Sequence, residues 1–386
     1  MAQHWDIFCR VIDNFGDIGV TWRLARQLAY EHGKRVRLWI DDLAVFFKMN
    51  PALNPDLEIQ QLGPIEVRHW KPGCEFVSPA DVVIEAFACQ LPEKYILAMA
   101  AKRPQSVWIN LEYLSAETWV EGCHGLASPQ LSGPAKYFFF PGFTRATGGL
   151  LRESQLLADR DRFLSSPGEQ LQLLNSLGIP PLDGGQKISL FAYDNLYLTP
   201  WLDHLASAMT PTQLWVTQSK VRPLVQDWLG ITEVNTLTGA YTRGALSVYF
   251  LPFLNHQDYD RLLWLSDINL VRGEDSLARA IWAGKPFIWH IYPQEEDTHL
   301  IKLNAFLTSY LRSAPECLNI RTCDLWNSMN MQQDFTQAWN AWQECLKDAI
   351  DHAFVYCEHQ SLQENLTDSL VNFCEMKVKY APEKLP

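Results

Sequence analysis

The sequence predicts an α/β protein made of two doubly wound sheets of parallel strands. Three observations lead there. Short apolar runs alternate with amphipathic segments of helical spacing along much of the 386-residue chain, which is the rhythm of repeated β-α-β units. Residues 267–289 show one such unit. Ile268, Leu270 and Val271 form a buried run, and a charged turn follows. Leu277, Ala278, Ala280, Ile281 and Trp282 then recur at helical spacing up to Gly284, before Pro286-Phe-Ile-Trp-His290 begins the next strand. Finally, Pro180-Pro181 and Gly184-Gly185 interrupt the pattern once, near the middle, and divide the alternation into two series.

In the first series, residues 5–11 read as a strand and 20–30 as a helix with Trp22, Leu24, Ala25 and Leu28 on its apolar side. Residues 35–40 form the second strand, ended by Asp41-Asp42 before a helix. Residues 65–70 and 80–87 read as the third and fourth strands, 92–102 as a helix and 106–111 as the fifth strand, with a further strand and turn in the aromatic run 137–143. The charged stretch 152–162 contains Asp159-Arg-Asp161, which formally matches a D-x-D metal motif. Its polar neighbours favour a solvated face over a metal seat. Residues 1–160 are therefore expected to form one domain and 161–182 a linker.

The second series starts at about residue 183 and runs to about 358. Its expected strands are 187–193, 213–217 and 246–251, then the two in 267–290, with helices near 197–209 and 258–265. Beyond residue 297 the pattern is mainly helical, with Trp326, Phe335, Trp339 and Trp342 on apolar faces. An amphipathic segment at about 360–380 suits a helix that returns to pack on the first domain.

Composition narrows the function. A formal net charge of -12 disfavours a general nucleic-acid binder, which needs a basic face, and suits a basic partner. Apolar runs are too short for a membrane span, and the N-terminus lacks the basic and apolar regions of a signal peptide, so a cytoplasmic location is expected. Nine cysteines with no C-x-x-C pair read as reduced thiols, neither a disulfide framework nor a zinc site. His256, His290 and His299 read as structural, since no second ligand stands at metal spacing. No metal and no cofactor are expected.

Two turns carry the chemistry. In Arg272-Gly-Glu-Asp275-Ser276 a glycine opens a helix whose N-terminus favours an anion, and Arg272 adds a guanidinium fork suited to phosphate oxygens. The same residues also fit a plain helix cap at Asp275 or Ser276. Phe191, Tyr193 and Phe253 fall at strand ends near that turn, where a nucleobase can stack, although core packing is the commoner use of such aromatics. The other turn, Ile12-Asp13-Asn-Phe-Gly-Asp17-Ile-Gly19, sets two carboxylates four residues apart at the carboxyl end of the first strand, with cap and turn roles as the alternative. Glu112, Tyr113 and Glu117 leave the fifth strand at the same edge, where they suit either a ligand cleft or, equally, a solvated helix start. Neither turn is a P-loop or a dinucleotide fingerprint.

Two Rossmann-like domains facing across a cleft, one with a diphosphate seat and the other with an acidic loop, are the expectation for GT-B architecture. The segments Asp13-Asn-Phe-Gly-Asp17-Ile-Gly, Asn110-Leu-Glu-Tyr-Leu-Ser, Phe191-Ala-Tyr193 and Arg272-Gly-Glu-Asp-Ser276 together resemble those of the bacterial protein-arginine rhamnosyltransferases that modify translation elongation factor P. The resemblance implies an inverting enzyme. It would move L-rhamnose from dTDP-β-L-rhamnose to one arginine of elongation factor P, activating that factor to relieve ribosome stalling at polyproline. It also implies Asp13, Asp17 and Glu274 as catalytic residues. Phe191, Tyr193 and Phe253 would enclose the thymidine, and Arg272, Asp275 and Ser276 would hold ribose and diphosphate, with Gln257 and Tyr292 beside them. Asp13 and Asp17, with Glu112 and Tyr113, would meet the acceptor. The alternatives are a GT-B transferase with a small-molecule or glycan acceptor, and a two-domain nucleotide-binding protein without catalysis.

Overall fold

The computed structural model describes residues 3–12, 15–74, 76–231, 239–294, 296 and 298–379. The chain divides into two compact units, Met1–Ser154 with Ser361–Pro386, and Gln155–Gln360.

In the first unit the order is β1 (His4–Cys9), α1 (Phe15–Tyr30), β2 (Arg35–Ile40), α2 (Leu43–Met49), β3 (Ile59–Leu62), β4 (Ile65–His69), β5 (Val82–Ala86), α3 (Glu93–Ala101), β6 (Val107–Leu111), α4 (Trp119–Cys123), β7 (Ala127–Ser128) and β8 (Lys136–Phe139). The sheet runs β3-β4-β2-β1-β5-β6-β8-β7. Its parallel strands thus follow the Rossmann order, and the winding reverses between β1 and β5, the position where such sheets bind ligands. The sheet is mixed, since β3 and β7 pair antiparallel at the two edges. Both are short hairpin strands that the reading of a purely parallel sheet passes over, because an antiparallel edge needs only a tight turn.

One buried ion pair fixes the middle of this sheet. Asp6 is fully buried and accepts from Arg37 Nε and Nη2 at 2.5 and 2.6 Å, from Trp39 Nε1 at 3.2 Å, from the backbone N–H of Ala80 at 3.0 Å and from the Tyr95 hydroxyl. With its lone pairs taken, the carboxylate is compensated for its desolvation. Around it, Phe8 stacks on Trp39 at 5.2 Å, and Trp70, Tyr95, Met99 and Trp108 close the core.

The second unit contains α5 (Leu156–Leu164), α6 (Pro167–Ser176), β9 (Gln186–Leu190), α7 (Leu198–Ser207), β10 (Thr212–Val216), α8 (Arg222–Leu229), β11 (Ala240–Arg243), β12 (Leu246–Phe250), α9 (His256–Leu265), β13 (Ile268–Arg272), α10 (Gly273–Ala283), β14 (Phe287–His290), α11 (Thr298–Tyr310), α12 (Glu316–Asn330), α13 (Thr336–Gln343) and α14 (Leu346–Ser361). Its sheet runs β11-β12-β10-β9-β13-β14, with β11 antiparallel, so the winding reverses between β9 and β13. Trp326, Phe335, Trp339 and Trp342 are all buried. Much of the stretch expected as a linker, 161–182, is folded into α5 and α6 of this unit. Its Pro167 lies in the first turn of α6, where proline is tolerated, and Ser166 caps that helix through Glu169 N. Arg160, expected on a solvated face, is buried instead. It donates to Trp282 O at 2.9 Å and pairs with Asp161.

The last helix, α15 (Leu366–Lys379), belongs to the first unit. Leu366, Leu370, Val371 and Cys374 are buried, Thr367 donates to Gln27 Oε1 at 2.6 Å, and Phe373 packs on Tyr137 and Phe139. Gly149, at φ 76°, passes so close to Glu364 that a Cβ there would lie 2.2 Å from its carbonyl oxygen. Only glycine fits both the angle and the gap. No helix among the described residues is long and apolar enough to cross a membrane.

Candidate functional site

In the second unit the candidate residues collect at the β9–β13 reversal. Phe191-Ala192-Tyr193, expected as the end of the first strand, leaves it after Leu190. Phe191 N still donates to Leu270 O of β13, at 2.9 Å, and this carries both aromatics over the end of β13. The guanidinium of Arg272 then lies over both rings, 4.6 Å from the Phe191 centroid and 4.5 Å from that of Tyr193. Phe191 is half-buried, whereas Tyr193 is 3% exposed and backs the arginine from below. Tyr292 stands edge-on to Tyr193 at 5.5 Å and is open to solvent.

Gly273, at φ 65°, turns the chain from β13 into α10. Ser276 Oγ bridges back to Arg272, accepting from its N–H at 3.1 Å and donating to its carbonyl. Glu274 and Asp275 occupy the first turn, where a negative charge is favoured by the helix dipole. Neither Asp275 nor Ser276 is the N-cap, which falls on Arg272 without a side-chain bond. The helix is keyed in place by a buried fork, Arg279 Nε and Nη2 to Asp260 Oδ1 and Oδ2 of α9, at 2.8 and 2.7 Å. Gln257 is exposed on α9, and Phe253 is half-buried in the loop after β12, two strands from β9.

In the first unit, α1 begins at Phe15 and so absorbs part of the expected turn. Asp17 falls within its first turn at 3% exposure, accepting from Ile12 N at 2.8 Å and from the Tyr113 hydroxyl at 3.4 Å. Asp13 lies outside the described residues. Glu112 accepts from Asn110 Nδ2, and its backbone N–H donates to Phe139 O at 2.9 Å, so the chain carrying Tyr113 is still tied to the sheet. Among the described residues, no three of His, Cys, Asp and Glu converge as a metal ion would need.

Two neighbours complete this end of the sheet, His290, expected as structural, and Tyr259, which sequence reasoning misses. His290 ends β14 at 1% exposure, and its Nδ1 accepts from Tyr193 N at 3.3 Å. Burial, then the charges of Arg272 and His299, lower its pKa to about 3, so the imidazole stays neutral. Tyr259 of α9 meets Phe191 edge-on at 5.8 Å, and burial pushes its hydroxyl pKa up. The only signal for either in the sequence is its place at a strand end or helix start.

Two Rossmann-like units, each with its candidate chemistry at the strand reversal, define the GT-B class of glycosyltransferases. In fold alone the chain resembles a glycosyltransferase from Rickettsia africae (TM-score 0.55, 10% identity, 99% of this chain and 100% of that one) and MurG of Acinetobacter baumannii (TM-score 0.51, 12%, 97% and 100%). The family model for the elongation factor P (EF-P) rhamnosyltransferase EarP matches residues 5–375. The protein-arginine rhamnosyltransferases of Pseudomonas putida and Pseudomonas aeruginosa are 50% and 48% identical, over 97% and 96% of this chain and 99% and 98% of theirs. A solved structure from work on EarP-mediated arginine glycosylation of translation elongation factor EF-P is 37% identical with a TM-score of 0.71, over 97% of this chain and 99% of that one. The chain belongs to the EarP family of protein-arginine rhamnosyltransferases.

Proposed function

We propose that this enzyme transfers L-rhamnose from dTDP-β-L-rhamnose to one arginine of EF-P in the cytoplasm, with inversion at the anomeric carbon, and so equips EF-P to relieve stalling at polyproline. The observation that carries the acceptor half is the buried carboxylate of Asp17, held by Ile12 N and the Tyr113 hydroxyl at the β1–β5 reversal.

A guanidinium, with a pKa above ~12, is a poor nucleophile while it keeps its proton. Carboxylates answer that difficulty. Asp13 and Asp17 grip its N–H groups and turn one nitrogen to the anomeric carbon, and Asp17 takes the proton as the C–N bond forms and the bond to dTDP breaks. Glu112 and Tyr113 meet the acceptor, and Glu274 is the third residue needed for turnover. In the donor half, Phe191 and Phe253 flank the thymine and Tyr193 closes the pocket beneath. Arg272, Asp275 and Ser276 hold ribose and diphosphate, with Gln257 and Tyr292 at the margin. The charge growing on dTDP is met by Arg272 and the N-terminus of α10, so no metal ion is needed.

The test is the intact mass of EF-P after incubation with the enzyme and dTDP-β-L-rhamnose, followed by fragmentation and by NMR of the anomeric proton. The expected result is one deoxyhexose on one arginine, as the α-anomer. An unmodified EF-P, with dTDP still bound by the enzyme, rejects the acceptor.

A further inference from the structure

At the carboxyl end of β5 the backbone takes an unusual course. Phe87, Ala88 and Gln90 all have positive φ, at 56, 52 and 59°. A side chain disfavours this region, most of all a bulky one, so such a run persists only where its surroundings impose it. They do so here. Phe87 N donates to Leu111 O at 2.7 Å, and Gln90 N donates to the buried Glu85 Oε1 at 3.0 Å. Glu85 is anchored in turn by Trp108 Nε1 and Lys136 Nζ, at 3.1 and 3.2 Å. Cys89 Sγ reaches Phe8 O of β1 at 3.4 Å.

What the strained backbone achieves is the placing of one ring. Phe87 lies 6% exposed and face to face with Tyr113, at 4.6 Å between centroids and 16° between planes. The hydroxyl of Tyr113 then reaches Asp17 Oδ1. The loop after β5 and the loop after β1 flank the strand reversal, so three segments distant in sequence meet around one carboxylate.

We propose that Phe87 is a positioning residue of the acceptor site: its ring fixes the plane of Tyr113 and so holds the tyrosine hydroxyl on Asp17, orienting that carboxylate for the arginine. The proposal rests on the reading of Asp17 as the base. Phe87 is buried in the first unit, whereas the residues proposed for the donor belong to the second, so its effect is expected in turnover and not in donor binding.

The experiment compares Phe87→Leu, Phe87→Tyr, Tyr113→Phe and the double variant Phe87→Leu/Tyr113→Phe in full-length enzyme, with EF-P as acceptor and dTDP affinity measured alongside. Phe87→Leu is expected to lower kcat about tenfold, within the range that a small misplacement costs, with the Kd for dTDP unchanged. Phe87→Tyr, which keeps the flat face, restores kcat. Tyr113→Phe loses as much as Phe87→Leu, and the double variant is no worse than either single one. Multiplying losses in the double variant, or a Phe87→Leu enzyme with lowered melting temperature and normal kcat, overturn the proposal. Tyr113→Phe keeps the stack and removes one oxygen, so normal kcat in that variant overturns it whether or not Phe87→Leu folds. Asp17→Asn, run in parallel, separates the two ideas. Lost turnover there beside an unaffected Tyr113→Phe rejects only the positioning role, whereas retained turnover in Asp17→Asn rejects the base assignment and this proposal with it.

Discussion

Arg272 and Tyr193 form a buried cation–π pair, the guanidinium 4.5 Å from the ring centroid, and Phe191 holds the same guanidinium at 4.6 Å. The arrangement fixes a positive charge in one orientation at the end of β13. Lysine keeps the charge but has neither the plane nor the fork. Arg272→Lys is therefore expected to weaken dTDP binding about tenfold, roughly 1.4 kcal/mol. Isothermal titration with dTDP measures it, and an unchanged Kd removes Arg272 from the donor site.

Asp17 is buried and hydrogen-bonded, and its proposed work is to accept a proton. Asp17→Asn keeps the shape and removes the basicity. The expected outcome is a fall in kcat of about a hundredfold or more, with dTDP affinity intact. Single-turnover kinetics on EF-P read the first quantity and titration the second.

With Arg272 and the α10 N-terminus assigned to the leaving group, chelation is expected to leave turnover unchanged. The check is the initial rate in EDTA against the rate in added Mg²⁺. A rate lost in EDTA and restored by Mg²⁺ means that a metal shares the task.

Acid is expected to weaken the fold through His290. Well above the ordinary histidine value of 6.5 the imidazole is neutral in both folded and unfolded chains, and His290 makes no pH-dependent contribution. As the pH falls below that value the unfolded chain takes up a proton that the folded chain refuses until about 3, so stability drops over that interval. The slope from one such group reaches about 1.4 kcal/mol per pH unit. His124 and His352, also lowered chiefly by burial, act in the same direction. Urea midpoints at several pH values test this, and His290→Asn, whose side-chain oxygen can still accept from Tyr193 N, should flatten the curve.

Gly149 is the tightest test of how α15 docks. Alanine there meets both the left-handed angle and the Glu364 carbonyl, and is expected to cost about 2–4 kcal/mol of stability. A denaturation curve that matches wild type means that the backbone relaxes around the methyl group.

The sequence exposes features that depend on local pattern and conceals those that depend on partners far along the chain. The segment from β13 to β14 is legible because burial on both faces leaves apolar runs, and because Gly284 and Pro286 mark where the helix between them stops. The extra length of α1 is hidden, since Gly16 and Asp17 look like turn residues until Asp17 is seen to bond Ile12 N. The Arg272–Tyr193 pair was legible only as two residues at strand ends, and its geometry depends on the parallel register of β9 and β13. Arg279–Asp260 and Asp6–Arg37 were invisible, because a buried charge is recognisable only once its partner is in place. Phe87 read as the last residue of a strand, and no feature of the sequence marks a positive φ on a phenylalanine.

Because α15 is part of the first unit, the order of synthesis and the order of completion differ. The second unit is one continuous stretch, Gln155–Gln360, and can finish folding as soon as that stretch has left the ribosome. The first unit, begun earliest, has to wait for the last helix to be made. Until then the apolar ground that Leu366, Leu370 and Phe373 cover, including Phe139 and the backbone at Leu150, has no lid. A nascent chain stalled before α15 has emerged would thus carry a finished second unit and an unfinished first one.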